Sequence, residues 1–116
     1  MENTYKMTPD VKFQVKPVKE LIETVLKEQL EEEKYDARAS RQMAKTLSTI
    51  ITNRVKALKY ERYKIVTTVT VGQIADQGVR VASRCLMDQE TDQFASGTFT
   101  NSSLFGIATV YGFYFE

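Results

Sequence analysis

The chain of 116 residues has no histidine, one cysteine, two prolines and five glycines. Without histidine there is neither a His-based catalytic triad nor a His-ligated metal site. The lone Cys85 has no partner for an internal disulfide and excludes a cysteine-rich zinc site, which fits a reducing compartment. No glycine run resembles a phosphate loop. No apolar stretch approaches the ~20 residues of a membrane span, and residues 1–16 lack the apolar core of a signal peptide. A cytosolic chain is expected. The net charge of +1, from 16 basic and 15 acidic residues, argues against a general nucleic-acid or membrane surface. A carboxylate pair such as Asp88 and Asp92 is the remaining route to catalysis. The acidic residues fall on a helix face and in a turn, where they are solvated, so neither an enzyme nor a cofactor is expected.

What the chain does have is a hydrophobic fraction of 42%, enough for one domain with a real core. Its most telling part is the C-terminal segment LFGIATVYGFYFE, Leu104–Glu116. Alternate residues of a strand point to opposite sides. One face carries Leu104, Gly106, Ala108, Val110, Gly112 and Tyr114, whose small members leave room for a helix to lie close. The other carries Phe105, Ile107, Thr109, Tyr111, Phe113 and Phe115, large side chains that each cost roughly 1.5–3 kcal/mol if left in water. A chain with few helices covers only the first face, so the second is expected to meet another protein chain.

Residues 1–16 show no helical period and read as an extended lead-in, with 17–116 as the folded domain. Tyr5, Val11, Phe13 and Val15 either anchor the lead-in on another surface or belong to a partly ordered terminus. Pro17 opens a helix, where its missing N–H costs nothing. Val18, Leu21, Ile22, Val25, Leu26 and Leu30 form one helical stripe. The run Glu31-Glu32-Glu33 sits at the negative end of the helix dipole and is expected to fray into the linker 34–36; a solvated helix end explains it better than an acidic docking patch. Asp36 is the expected N-cap of a second helix over 37–58, with the stripe Met43, Leu47, Ile50, Ile51, Val55 and Leu58. Residues 38–64 hold eight basic residues against the single acid Glu61. That asymmetry suits an acidic peptide or RNA partner, or a solvated face that balances the acidic first helix; the second reading is the simpler.

From Arg62 the period changes to two. Strands are predicted over 63–71, 79–87 and 93–100, with a last one from Leu104, separated by the polar turns 72–78 and 88–92 and by Asn101-Ser102-Ser103. The order ααββββ implies an α+β domain: two N-terminal helices packed on one face of a four-stranded antiparallel sheet, read as a meander.

The order and three segments resemble the Tctex-type dynein light chains: Arg62-Tyr63-Lys64 at the start of the first strand, Ala82-Ser83-Arg84-Cys85-Leu86-Met87-Asp88 in the second, and Asn101-Ser102-Ser103-Leu104-Phe105 before the last. Asn3-Thr4-Tyr5 with Pro9 and Phe13 is similar to the lead-in of the Tctex-2 and Tctex-2b branch. The resemblance covers essentially the whole chain. It implies a non-enzymatic light chain that forms a strand-exchanged dimer, with itself or as a heterodimer with a Tctex-1-type chain, and that binds a segment of a dynein intermediate chain. It further implies a place in the cytoplasm and cytoskeleton, in the axoneme of a cilium or flagellum or in intraflagellar-transport dynein, and no role for nucleic acid or membrane.

The mechanism expected is strand addition, in which a disordered segment satisfies the unpaired backbone groups of a sheet edge. Because ordering that segment costs entropy, a single site is modest, and two sites on one dimer, or a neighbouring light chain on the same segment, make the assembly firm. Residues 79–87 are the candidate exchanged strand and binding edge, since polar turns on either side let them leave their own sheet. Val79, Val81, Ser83, Cys85 and Met87 share one face. Arg84, on the other, suits a carboxylate or carbonyl partner and equally an ordinary cross-strand ion pair. Cys85 reads as a small buried hydrophobe. Phe105, Ile107, Tyr111, Phe113 and Phe115 are assigned to the dimer interface. The competing readings are a nucleic-acid binder using the basic helix, a small carboxylate enzyme, and a dimeric peptide-binding adaptor for non-dynein partners.

Overall fold

The computed structural model describes residues 12–76 and 93–115. Helix α1 spans Val15–Leu30 and helix α2 spans Ser40–Lys56; strands β1 (Tyr63–Gln73), β2 (Gln93–Thr100) and β3 (Leu104–Tyr114) form one antiparallel sheet beneath them. A short 3-10 turn, Ile74–Asp76, follows β1. The fold is α+β, as expected. The predicted strand over 79–87 lies outside the described residues, as do Tyr5 and Val11.

In α1, the predicted stripe packs inward: Val18, Ile22, Val25, Leu26 and Leu30 are fully buried, and Leu21 packs partly against them. The helix begins two residues before Pro17. The first four N–H groups of a helix have no intrahelical carbonyl, so proline is tolerated at the third position as well as the first. The acidic run lies beyond Leu30, in a turn, as the dipole argument requires.

Helix α2 starts at Ser40 rather than at residue 37. Asp36 is not its N-cap, a place taken by Ala39 without a side-chain bond; the Asp36 side chain instead accepts from the Arg38 N–H at 2.8 Å. It closes a separate turn ahead of the helix proper. Leu47, Ile51 and Val55 are buried, and Met43 and Ile50 are half-buried against them. Leu58 departs from the expected stripe. It lies past the helix end and is 39% exposed, where the chain turns through the left-handed residues Lys59 and Arg62. An exposed ion pair from Arg54 to Glu28 at 3.1 Å joins the two helices and is worth at most about 1 kcal/mol.

Strand order is the principal correction. β3 lies in the centre with β1 on one side and β2 on the other, in the order β1-β3-β2. Tyr63 faces Tyr114 and Gln73 faces Leu104 across the first pairing; Gln93 faces Gly112 and Thr100 faces Phe105 across the second. A meander would have placed β1 and the last strand at opposite edges. The most apolar strand takes the centre, where both of its sides are paired and both of its faces can be covered.

The helices cover the small-residue face of β3, as predicted: Leu104, Ala108 and Val110 are fully buried there. α2 lies over β1 and α1 over β2. The approach of α1 is set by missing side chains. A Cβ on Gly106 would stand 2.7 Å from Leu30 Cδ1. One on Gly97 would stand 2.8 Å from Ile22 Cγ2 and 2.9 Å from Glu23 Cγ. Gly97→Val is therefore expected to push α1 outward and lower stability by about 1–3 kcal/mol in urea denaturation. Unchanged stability would mean that α1 does not rest on β2 in this way. Gly112 receives the ring of Phe13, which is buried and lies 5.3 Å from Tyr60 and 5.9 Å from Tyr63. Phe13 thus anchors the lead-in, while Val15 belongs to α1 and is 42% exposed.

Candidate functional site

The face of the sheet away from the helices can be laid out in rows from the registers. Lys64 and Phe113 form one row; Val66, Tyr111 and Phe94 the next; then Thr68, Thr109 and Ser96; Thr70, Ile107 and Thr98; and finally Gly72, Phe105 and Thr100. Aromatic rings gather at one end. Tyr111 lies 6.1 Å from Phe94 and stacks on Phe113 at 6.0 Å with planes 10° apart. The central rows are hydroxyl-rich, and Ser96 Oγ lies 3.2 Å from Thr109 Oγ1.

The five residues assigned to the dimer interface do come to one face, but they are not equally uncovered. Phe105 is buried, its ring lying over Gly72, and Tyr111 is buried between its two ring neighbours. Ile107 and Phe113 are half-buried, and Phe115 is 56% exposed. Phe94, 54% exposed, was missed from the sequence although its alternation with Ser96 and Thr98 placed it on this face. The exposed apolar material is Phe94 and Phe115, with Phe113 between solvent and Tyr111. Residues Val79, Val81, Ser83, Arg84, Cys85 and Met87 lie outside the described residues.

The sheet edges follow from backbone alternation. The Ile74 N–H bonds to Ser103 O and the Phe115 N–H to Arg62 O, so the even-numbered residues of β1 point toward β3. Tyr63, Ile65, Thr67, Val69 and Val71 therefore turn their backbone groups outward. On the opposite edge the Asn101 N–H bonds to Leu104 O, which leaves Phe94, Ser96, Thr98 and Thr100 facing out. A helix side chain caps a carbonyl in the middle of each edge. Ser48 Oγ donates to Thr67 O at 3.4 Å, and Lys19 Nζ to Ser96 O at 3.5 Å. Each cap occupies one outward carbonyl of its edge.

At the start of β1 the edge borders a cleft of about 600 Å³. It is lined by Lys56, the last residue of α2, by Tyr63, Lys64 and Ile65 of β1, and by Phe113, Tyr114 and Phe115. Among the described residues there is no cluster of acidic or cysteine side chains able to hold a metal ion. No helix there is long and apolar enough to cross a membrane.

A third feature joins α1 to the sheet. The Asn101 side-chain amide donates to Leu30 O at 3.1 Å, the last carbonyl of α1, which also accepts from the Glu33 N–H, and to Glu33 O at 3.0 Å in the segment after the helix. Its Oδ1 accepts from the Ser103 and Leu104 N–H groups, each at 2.8 Å. Ser103 Oγ in turn accepts from the Tyr35 N–H at 2.8 Å.

The model of the Tctex-1 family matches residues 12–113, which takes in both helices, all three strands and the Asn101 turn. The chain belongs to the Tctex-1 family. It is 50% identical over 116 residues to dynein light chain Tctex-type 5-B of Xenopus laevis, covering 100% of this chain and 66% of that one. It is 42% identical to human dynein light chain Tctex-type 5, covering 65% of it. Mouse dynein light chain Tctex-type protein 2B is 38% identical over 98% of this chain and 81% of its own length. The chain thus spans just under two thirds of the length of the Tctex-type 5 relatives. Within this Tctex-1 family chain, two of the segments that carried the resemblance have structural duties. Asn101-Ser102-Ser103 ties the hairpin to α1, and Arg62-Tyr63-Lys64 makes the left-handed entry into β1 and the wall of the cleft.

Proposed function

We propose that this chain is a non-catalytic dynein light chain that dimerises through the aromatic end of its open sheet face and binds a dynein intermediate chain segment by strand addition. The observation that carries this reading is the family match across the fold, together with relatives named as dynein light chains. The geometry supports it in two ways. Phe94, Phe113 and Phe115 leave apolar surface on the face that no helix covers, with the buried Tyr111 between Phe94 and Phe113 and with Ile107 and the buried Phe105 farther along the same face. β1 ends and β2 begins at opposite ends of β3, which leaves room in the sequence between them for the strand proposed to be exchanged.

In this reading Val79, Val81, Ser83, Arg84, Cys85 and Met87 supply the exchanged strand and the peptide-binding edge. The dimer partner is a Tctex-1-type light chain, or a second copy. Its setting is a cytoskeletal dynein, in the axoneme or in intraflagellar transport. Backbone pairing gives sequence-tolerant affinity, and two sites per dimer raise the effective concentration.

The test is isolation of the native complex from cells, with every co-purifying chain identified by mass spectrometry. A dynein intermediate chain and a second Tctex-type light chain are expected. Recovery of a dimer with partners unrelated to dynein would instead identify a general peptide adaptor.

A further inference from the structure

We propose that the cleft at the start of β1 is a second docking site, separate from the edge at 79–87, for an extended acidic peptide segment bearing a large apolar side chain. Three observations lead there. The first is charge. Lys56 and Lys64 are both exposed on the lining, which contains no acid, and neither is in an ion pair among the described residues. The connection between them adds Lys59 and Arg62 against the single Glu61. Carboxylates approaching this corner meet an excess of positive charge, four basic residues against one acid over 56–64.

The second is backbone. Tyr63, Ile65 and Thr67 turn their main-chain groups outward, but the Tyr63 N–H is used by Tyr60 O and the Thr67 carbonyl is capped by Ser48. The N–H and C=O of Ile65 have no partner among the described residues. They offer an incoming extended chain a two-point pairing, beside the lysines. The third is shape. The cleft of about 600 Å³ has Ile65, Phe113, Tyr114 and Phe115 in its lining, which suits one aromatic or large aliphatic side chain with its flanking residues. Phe113 and Phe115 line this cleft and also belong to the face assigned above to dimerisation, so the peptide meets the border of the dimer contact. Single-stranded RNA would also meet the lysines and rings, but it lacks the peptide N–H and C=O pair that completes a strand-type pairing at Ile65.

The experiment is an amide NMR titration of the full chain in its native oligomeric state. The probe is a blocked seven-residue peptide alternating glutamate with valine and carrying one central phenylalanine. The comparators are the same peptide with lysine for glutamate, and an oligouridylate. Shifts are expected at Tyr63, Lys64 and Ile65 and at residues 113–115, with the lysine peptide at least about fivefold weaker. Lys56→Gln with Lys64→Gln should weaken the glutamate peptide by about tenfold while leaving the melting temperature and oligomeric state unchanged. The intermediate chain segment recovered with the native complex should not displace the probe. Equal affinity for both peptides, shifts confined to other surfaces, binding of the oligouridylate alone, or displacement by that segment would each overturn the proposal. Loss of intermediate chain binding with the β1 shifts intact would overturn the dynein reading and leave this one standing.

Discussion

Asn101→Ala is expected to lower the stability of the domain by about 3 kcal/mol, the largest loss foreseen for one exposed-to-half-buried polar residue. Its side chain makes four hydrogen bonds: two donated to carbonyls at the end of α1, two accepted from backbone N–H groups of the β2–β3 turn. Each bond is worth about 1 kcal/mol net, and partial access of water to the helix-end carbonyls keeps the sum below four times that value. The melting temperature should fall by roughly 10–20 °C. Asn101→Asp keeps the two acceptances but aims a carboxylate at two carbonyls on the negative end of a helix, so its loss should be comparable. A variant within about 0.5 kcal/mol of the parent would show that α1 and the hairpin are held by Leu30 and Gly106 alone.

Phe113→Asp is expected to dissociate the proposed dimer with little effect on the isolated fold. The ring is half-buried and stacked on Tyr111, on the face no helix covers, so the protomer loses only part of one contact. In a dimer the same position carries a carboxylate into an apolar contact. Lost apolar burial and the desolvated charge together cost about 3 kcal/mol per substituted protomer, roughly a hundredfold in Kd. Light scattering at micromolar concentration should report a monomer, and pull-down should lose the intermediate chain. A Phe113→Asp protein that is fully dimeric and still binds would refute the assignment of this face. Tyr111→Asp, at a buried position, confounds folding with assembly and is the poorer probe.

The two predictions rest on residues that were visible to different degrees beforehand. The helical stripes, the start of β1 at Tyr63, the span Gln93–Thr100 and the start of the last strand at Leu104 were all legible, because periodicity and turn residues act over a few neighbours. The partition of Leu104–Glu116 into a helix-facing and an open face was legible for the same reason. Asn101 was noted only as part of a resemblance. Its bonds to Leu30 and Glu33 reach back some seventy positions, and no local pattern announces them.

Phe94 shows where the limit falls. Alternation placed it on the open face, but nothing local said that it would stand beside Tyr111, since that depends on which strand neighbours which. The same ignorance produced the meander, and with it hid the outward edge of β1 and the cleft where Lys56 meets Lys64 and Phe113.

By itself, then, the amino-acid order determined the two helical stripes, the three described strands, their buried faces and the family, since each follows from side chains within a few turns of one another. Only the tertiary structure decided the strand order, the capped edges and the charged cleft. Pairing and packing are choices among distant segments, made by the whole chain as it closes around one core.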